Sequence, residues 1–209
     1  MKYDVVIVAA GKGERAKLGY NKAFFKMPNG KTVLENSCRL FVEDDECQNI
    51  IIVTNKESFE LVFKNEKVKI TEGGKLRKDS VKNGLDLVCS EYVLIHDAAR
   101  PHLDMESLNS LKKKVEEKDA AILAHVSVDT VKVVEDGKII KTVDRKKIYL
   151  AETPQGFKSE LIKKCYEECD NREFTDEASL VESMNYDVYI VENVHNNQKM
   201  TYEEDFKND

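Results

Sequence analysis

Short hydrophobic runs alternate along the chain with segments whose apolar residues recur at helical spacing. The first run, residues 2–10, is rich in valine and predicts a strand that is buried on both faces of a sheet. Further runs predict strands at residues 49–54, 67–71, 91–95 and 120–125, and the segments between them predict helices at residues 32–42, 58–64, 79–89 and 105–117. Strands that alternate with helices favour parallel pairing, so we expect an α/β fold with a Rossmann-like, mostly parallel sheet flanked by helices.

The pattern changes after His125. Two β-rich runs within residues 129–142 flank the turn signal Glu135-Asp136-Gly137, which predicts a β-hairpin arm at about residues 129–145. A two-stranded hairpin is barely stable alone, so we expect this arm to pack against other protein, with a second subunit as one candidate. Helices are predicted at residues 159–168 and 175–184, the second with Thr175 as its N-cap, and a last strand at residues 186–191. We find no linker or internal repeat, and therefore expect residues 1–209 to form a single domain.

Three polar loops follow predicted strands, beginning near Gly11, Gly73 and His96. The carboxyl ends of parallel strands meet at one edge of a sheet, so these loops should gather there. Glycines at positions 11 and 13 allow close approach of a ligand, and the cations around them indicate phosphate; they are Lys12, Arg15, Lys17 and Lys22. The loop is neither a Walker loop nor a dinucleotide fingerprint, so an ordinary strand-to-helix turn with solvated cations is the alternative.

Charge and composition exclude several classes of protein. The 209 residues carry a net charge of -6, which argues against a nucleic-acid partner. No apolar run approaches the length of a membrane span and no signal peptide is recognisable, so we expect no membrane association and a cytoplasmic location. The five cysteines fit no disulfide framework, and we interpret them all as reduced packing residues.

A series of short motifs, in order along nearly the whole chain, resembles the 2-C-methyl-D-erythritol 4-phosphate cytidylyltransferases. The matching residues are Ala9-Ala10-Gly11-x-Gly13-x-Arg15, Asn21-Lys22, Gly73-Gly74-x-x-Arg77-x-x-Ser80-Val81, His96-Asp97-Ala98-Ala99-Arg100-Pro101, Asp129-Thr130-Val131-Lys132, Thr142-Val143-Asp144-Arg145, Thr153-Pro154-Gln155 and Thr175-Asp176-Glu177-Ala178-Ser179. The resemblance implies a nucleotidyltransferase fold. It also implies transfer of CMP from CTP to 2-C-methyl-D-erythritol 4-phosphate, with release of pyrophosphate, in the non-mevalonate route to isoprenoid precursors.

The resemblance also implies roles for individual residues. It gives a catalytic role to Arg15, Lys22, Arg145 and Lys199. It places the nucleotide on Ala9, Ala10, Gly11, Gly13, Gly73, Gly74, Arg77, Ser80 and Asp97, and the acceptor on Asp97, Thr130, Arg145, Thr153, Thr175 and Lys199. It further implies Mg²⁺ as cofactor, for which we assign no protein ligand, CTP and a polyol phosphate as partners, and a homodimer formed through the arm.

Other functions stay open at this point. Asn21, Ala23 and Ser127 depart from the usual family pattern. A ribitol-5-phosphate cytidylyltransferase that makes CDP-ribitol shares the nucleotide half and is the first alternative. A nicotinamide-dependent oxidoreductase would use the same kind of sheet, although the missing third glycine argues against it. A catalytically inactive nucleotide-binding protein is the remaining alternative.

Overall fold

A computed structural model describes residues 1–11, 13–169 and 174–206. Its strands are β1 Tyr3–Val8, β2 Cys47–Thr54, β3 Val68–Glu72, β4 Tyr92–Asp97, β5 Ala120–Val126, β6 Lys132–Glu135, β7 Lys138–Thr142, β8 Tyr149–Lys158 and β9 Tyr189–Glu192. Its α-helices are α1 Val33–Glu43, α2 Arg77–Leu85, α3 Met105–Lys118, α4 Ser159–Glu168 and α5 Glu177–Ser183. Short 3₁₀ helices occur at Glu14–Ala16, Lys22–Phe24, Lys56–Leu61, Arg145–Lys147 and Glu203–Phe206.

The central sheet has seven strands in the order β3-β2-β1-β4-β8-β5-β9. All neighbouring strands pair in parallel except β8, which runs antiparallel to β4 and β5. Buried side chains cover both faces of the sheet, where the helices pack. The predicted α/β fold with a mostly parallel sheet flanked by helices is confirmed.

Strand β8 is the element that the sequence pattern did not predict. It contains Glu152, Thr153, Pro154 and Gln155, and polar residues together with proline are rare in the middle of a sheet. Its central residues are nonetheless buried, because β8 lies between β4 and β5. A Cβ atom at Gly156 would lie 2.5 Å from a Val115 methyl group, so the absence of a side chain there lets α3 pack directly on the strand.

Several predicted boundaries are wrong. The helix predicted at residues 58–64 is a 3₁₀ helix at Lys56–Leu61, and the one predicted at residues 79–89 is α2, Arg77–Leu85. Thr175 does not cap α5: Asp176 does, its carboxylate accepting a 3.0 Å hydrogen bond from the Ser179 amide. Of the five cysteines, all free, Cys89 is exposed and therefore is not a packing residue.

Strands β6 and β7 form a separate antiparallel pair, and every residue in both is exposed. Asp136 and Gly137 connect them with φ angles of 47° and 78°, the left-handed conformation that tight hairpin turns favour. The arm presents Val134, Ile139 and Ile140 to solvent. In the described part of the chain, no helix is both long enough and apolar enough to cross a membrane.

Candidate active site

A cleft of about 760 Å³ opens where β1, β2 and β4 end. The three polar loops identified in the sequence line it together. They are the loop around Gly11 and Gly13 after β1, which we name the phosphate loop after its predicted ligand, the glycine turn before α2 and the segment after β4. This is the edge at which open α/β sheets bind their ligands. Of the predicted nucleotide-binding residues, the lining includes Ala9, Ala10, Gly11, Gly13, Gly74, Arg77, Ser80 and Asp97.

The phosphate loop is held in place by Asn21. Its side-chain amide donates a 2.6 Å hydrogen bond to the Ala9 carbonyl, while its side-chain oxygen accepts one from the Ala23 amide. Asn21 therefore caps the 3₁₀ helix that begins with Lys22. The loop also needs Gly13, whose φ of 67° is left-handed. Asn21, one of the residues that depart from the usual pattern of the family that the motifs resemble, thus fixes the start of the segment that carries Lys22.

Three predicted catalytic cations line the cleft: Arg15, Lys22 and Lys199. The Lys22 ammonium donates a 2.6 Å hydrogen bond to the Met200 carbonyl, and the Lys199 ammonium a 2.7 Å bond to the Asp97 carboxylate. Burial, followed by repulsion from Lys199 and Arg15, lowers the pKa of Lys22 to about 8. Three cationic side chains on the lining of one cleft indicate a site that favours an anionic ligand.

Asp97 is the one acidic side chain among the described residues that line the cleft. Burial by itself would raise the pKa of Asp97, but Lys199 and Arg77 hold it well below the usual range. The group is therefore a carboxylate at neutral pH. In the described ranges, no cluster of three or more His, Cys, Asp or Glu side chains is placed to hold a metal ion.

The backbone of Asp97 is fixed from behind by Thr153 and His96. The Asp97 amide donates a 3.0 Å hydrogen bond to the Thr153 hydroxyl oxygen, and that hydroxyl lies 3.0 Å from His96 Nδ1. Because the Arg100 carbonyl can only accept, His96 Nε2 carries the proton and donates it at 3.2 Å; in the neutral ring, Nδ1 then accepts from the Thr153 hydroxyl. Burial lowers the pKa of His96 to about 4, which agrees with this neutral form. Thr153 thus supports the cleft without lining it.

Arg77 joins the cleft to a buried carboxylate. Its guanidinium lies 2.7 Å from Glu177 Oε1 and 3.5 Å from Asp97 Oδ1. Glu177 is fully buried, and the same oxygen accepts a 3.1 Å hydrogen bond from the Tyr166 hydroxyl. Burial alone would lower the pKa of Arg77, but Glu177 and Asp97 together raise it. Arg77 was predicted as a nucleotide-binding residue, and the structure places it as an ion-pair bridge on the cleft wall.

The glycine turn before α2 is shaped by close contacts. A Cβ atom at Gly73 would lie 2.3 Å from Ala10 Cβ, and one at Gly74 would lie 2.2 Å from Asp79 Cβ. The Ser80 hydroxyl accepts a hydrogen bond from the Gly74 amide and donates one to the Leu76 carbonyl. Gly74 and Ser80 line the cleft, whereas Gly73 lies directly behind the lining. This turn therefore forms one wall of the cleft, which consists of tightly packed backbone and small side chains.

Besides Gly73, four predicted residues do not line the cleft. Thr130, Arg145 and Thr175 are exposed, and Thr153 is buried behind Asp97. Arg145 lies at the foot of the arm, where its guanidinium donates a 2.7 Å hydrogen bond to the Val128 carbonyl. Of the loop cations, Lys17 is exposed outside the cleft lining, and Lys12 lies outside the described residues.

The cleft also contains residues to which sequence reasoning gave no role: Asn55, Lys75, Leu76, Ala98 and Ala99. Each is a neighbour of a motif or a strand end. Asn55 directly follows β2, and Lys75 and Leu76 directly follow the two glycines. These residues could have been predicted to line the cleft because they lie next to the three loops in the sequence.

Comparisons with known proteins show the family to which the chain is similar. The family model for 2-C-methyl-D-erythritol 4-phosphate cytidylyltransferase, IspD, matches residues 3–208. A curated relative of that name from Halalkalibacterium halodurans is 36% identical over 215 residues, which covers 98% of this chain and 94% of the relative.

Solved structures with the same function in their names are also similar. The IspD structure from Francisella tularensis has a TM-score of 0.85 and 30% sequence identity, covering 99% of this chain and 97% of the other. The 4-diphosphocytidyl-2C-methyl-D-erythritol synthase from Anaerococcus prevotii has a TM-score of 0.87 and 27% identity, covering 98% of this chain and 94% of the other. The similarity thus extends over sequence and fold, from one end of the chain to the other.

Proposed function

The chain belongs to the 2-C-methyl-D-erythritol 4-phosphate cytidylyltransferase family, and we propose that its cleft binds CTP with Mg²⁺ and that the acceptor is bound between two subunits. In the family's reaction, CMP moves from CTP to 2-C-methyl-D-erythritol 4-phosphate, and 4-CDP-2-C-methyl-D-erythritol and pyrophosphate are formed. The observation that carries this proposal is the convergence of Arg15, Lys22, Lys199 and Asp97 on one cleft at the ends of β1 and β4. No relative reported above favours the ribitol-5-phosphate alternative.

The cations explain how the reaction can proceed without a protein nucleophile. The acceptor phosphate attacks the α-phosphorus of CTP, and the bond to pyrophosphate breaks. Arg15 and Lys22 would neutralise the charge that develops on the triphosphate, arginine as a rigid fork and lysine as a mobile point charge. Lys22 would exchange its bond with the Met200 carbonyl for a phosphate oxygen.

The residues present fit a magnesium ion that is held mainly by its substrate. Mg²⁺ in phosphoryl-transfer sites keeps several waters and takes one or two carboxylates together with phosphate oxygens. Asp97, which is ionised and lines the cleft, would supply one such carboxylate. When bound, the ion would neutralise charge on the phosphates. The chain's own part is to orient Asp97 through Lys199 and Arg77.

The wall formed by Gly74 and Ser80 would accommodate the base. Since the amide of Gly74 and the hydroxyl of Ser80 already bond within the turn, they shape the wall. Behind this wall, Gly73 leaves no room for a side chain beside Ala10, and we expect the space in front of the wall to favour a pyrimidine over a purine. The test is pyrophosphate release with Mg²⁺ and 2-C-methyl-D-erythritol 4-phosphate, comparing CTP with ATP and the acceptor with ribitol 5-phosphate. Comparable turnover with ATP would contradict the base assignment, and faster turnover with ribitol 5-phosphate would contradict the acceptor.

The acceptor side would be completed by a second subunit. Arg145, predicted to bind the acceptor, is exposed beside an arm whose apolar side chains are also exposed. Docking of the arm on a second copy would bury those side chains and deliver Arg145 to the partner's cleft. A cytoplasmic location, expected from the sequence, stays a prediction.

Mixing two inactive variants tests this arrangement. Lys22→Ala and Arg145→Ala subunits are allowed to exchange. If Arg145 acts across the interface, each heterodimer has one site with both residues, and random pairing restores about a quarter of wild-type activity. If Arg145 serves its own chain, every site lacks one residue. An inactive mixture, with exchange verified by mass spectrometry of differently tagged subunits, would therefore exclude the shared site.

A further inference from the structure

The segment that follows β9, residues 196–206, crosses from the end of β4 to the phosphate loop, and we name it the C-terminal strap. Its first end is anchored by Asn197, which is buried. The Asn197 side-chain amide donates 2.9 Å hydrogen bonds to the Glu152 carboxylate and the Thr153 carbonyl, and the backbone carbonyl of Asn197 accepts a 2.7 Å bond from Arg100. Further along, the Met200 amide donates to the Ala99 carbonyl at 2.8 Å. The strap is thereby fixed to the residues that follow β4.

The other end of the strap is anchored by Phe206. Its ring packs edge-to-face against Phe25 with centroids 5.1 Å apart. Phe206 and Met200 are buried in one apolar cluster with Ala16 and Val33. This cluster is separate from the two that cover the faces of the sheet. Ala16, which directly follows Arg15, therefore packs against the strap.

A carboxylate fixes the turn between the two anchors. Asp205 Oδ2 accepts hydrogen bonds from the backbone amides of Thr201, at 2.6 Å, and Tyr202, at 2.8 Å. The chain consequently turns back after Lys199 and Met200, so that Phe206 reaches the phosphate loop. The strap is built from specific contacts along its length.

The strap involves two of the three lysines that line the described cleft, Lys22 and Lys199, but not Lys75. It carries Lys199, which bonds to Asp97, and its Met200 carbonyl accepts the hydrogen bond from Lys22. The cations assigned to the phosphates thus depend on a segment that follows the last strand of the sheet.

We propose that Phe206 is a positioning residue for cytidylyl transfer: by anchoring the strap against Ala16 and Phe25, it sets the positions of Arg15, Lys22 and Lys199 across the cleft. The inference deepens the proposed function, because it takes the roles of these cations from it. Phe206 contacts no reacting atom and acts through the residues it holds.

The environment of Lys22 provides a readout that does not require activity. Burial, Lys199 and Arg15 lower the pKa of Lys22, in that order, while Asp97 and Asp205 act in the opposite direction. A loosened strap would expose Lys22 to water and let Lys199 and Asp205 move away. Because burial is the largest of these effects, the pKa of Lys22 should then rise from about 8 toward the ordinary value of a lysine.

The test compares Phe206→Ala with Tyr202→Ala. Tyr202 is an aromatic residue on the same strap, but its side chain is 54% exposed, so this variant is a matched control. The Lys22 pKa is measured in the ligand-free protein by ¹³C NMR of reductively methylated lysines, and its signal is assigned with Lys22→Arg. We expect the pKa to rise in Phe206→Ala and to stay at the wild-type value in Tyr202→Ala.

Steady-state kinetics give the second readout. The kcat/KM for CTP in Phe206→Ala should fall about 10- to 100-fold, as misplacement of a catalytic group by about 1 Å does. The alkaline limb of its pH profile should move to higher pH, because kcat/KM reports groups of the free enzyme. Tyr202→Ala should keep the wild-type profile.

These experiments can refute the role of Phe206 and the proposed function independently of each other. A wild-type protein that transfers no CMP would refute the proposed function, while the titration of Lys22 would still decide on the strap. If the alanine variant does not fold, Phe206→Leu takes its place, because it keeps an apolar side chain. We expect Phe206→Leu to raise the pKa of Lys22 by less than Phe206→Ala would. An identical pKa in wild type, Tyr202→Ala and Phe206→Leu would overturn the proposal.

Discussion

The ion pair between Arg77 and Glu177 permits a sharp test of how the cleft wall is held. Glu177 has no exposed surface, and one of its carboxylate oxygens accepts from both Arg77 and Tyr166. Its other oxygen, Oε2, is buried without a hydrogen-bond partner among the described residues. The carboxylate therefore depends on Arg77 for its charge compensation. Replacement of Arg77 by methionine keeps the apolar stem and removes the guanidinium.

The loss of folding stability that we expect on replacing Arg77 follows from the burial of its pair with Glu177. Removal of one partner of a buried pair costs about 3–5 kcal/mol, since the remaining charge is left uncompensated. The Arg77 side chain is 34% exposed, so we expect the lower end of this range, about 3 kcal/mol. Glu177→Gln keeps the shape and one acceptor oxygen and removes the charge, and should cost about 1–2 kcal/mol. The double variant should be more stable than Arg77→Met alone, because it no longer buries an unpaired carboxylate.

Urea unfolding measures these differences, provided that the slope of the transition is unchanged. The control is Arg39→Met: Arg39 and Glu43 form a pair on the surface of α1 with both side chains about half exposed, and its loss should cost at most about 1 kcal/mol. Strict additivity of Arg77→Met and Glu177→Gln would refute the reasoning, because residues in one buried pair should show a coupling energy of about 0.5–3 kcal/mol. An equal cost for Arg77→Met and Arg39→Met would refute it as well.

Three further predictions concern the cleft itself. Arg15→Ala and Lys22→Ala should each lower kcat by about two to three orders of magnitude with a smaller change in KM, because these cations act on charge that develops in the transition state; near-normal kcat in steady-state assays would contradict their roles. Gly73→Ala should abolish CTP binding in calorimetry, since its Cβ would lie 2.3 Å from Ala10 Cβ, and unaltered affinity would show that the wall can move. Lys199→Ala should raise KM for the polyol phosphate more than KM for CTP, and equal increases would mean that its 2.7 Å bond to Asp97 serves the nucleotide instead.

The sequence predicted the parts of the fold that rest on local pattern. Strands β1 and β2 are apolar runs buried on both faces, and α4 was predicted with its observed bounds. Strand β8 was not, because its burial comes from its neighbours β4 and β5 and not from its own composition. The cap of α5 was misplaced by one residue, since Thr175 and Asp176 are both good capping residues and only the backbone decides between them.

In the candidate site, too, features that follow from local sequence could be predicted, and features that depend on packing could not. The sequence motifs predicted which cations and glycines meet in the cleft. This was possible because the loops around Gly11, Gly73 and His96 each follow a predicted strand of a parallel sheet. Pairs that are distant in the chain could not be predicted, such as Arg77 with Glu177 or Lys22 with the Met200 carbonyl. Such contacts depend on how α5 and the C-terminal strap lie against the sheet. A motif therefore indicates which residues have a role, and only the packing indicates which partner holds each of them.

The distribution of predicted residues between the cleft and the surface has a physical consequence. Most residues predicted to bind the nucleotide line the cleft of a single chain, so one chain would form the nucleotide side of the site. Thr130, Arg145 and Thr175 are exposed and do not line the cleft of the same chain, so a single chain does not bring them to the nucleotide side. If a second subunit covers them, acceptor affinity depends on dimerisation whereas CTP affinity does not. Dilution below the dimer dissociation constant should then raise KM for the polyol phosphate and leave CTP binding unchanged, and a parallel loss of both would place the two substrates on the same interface.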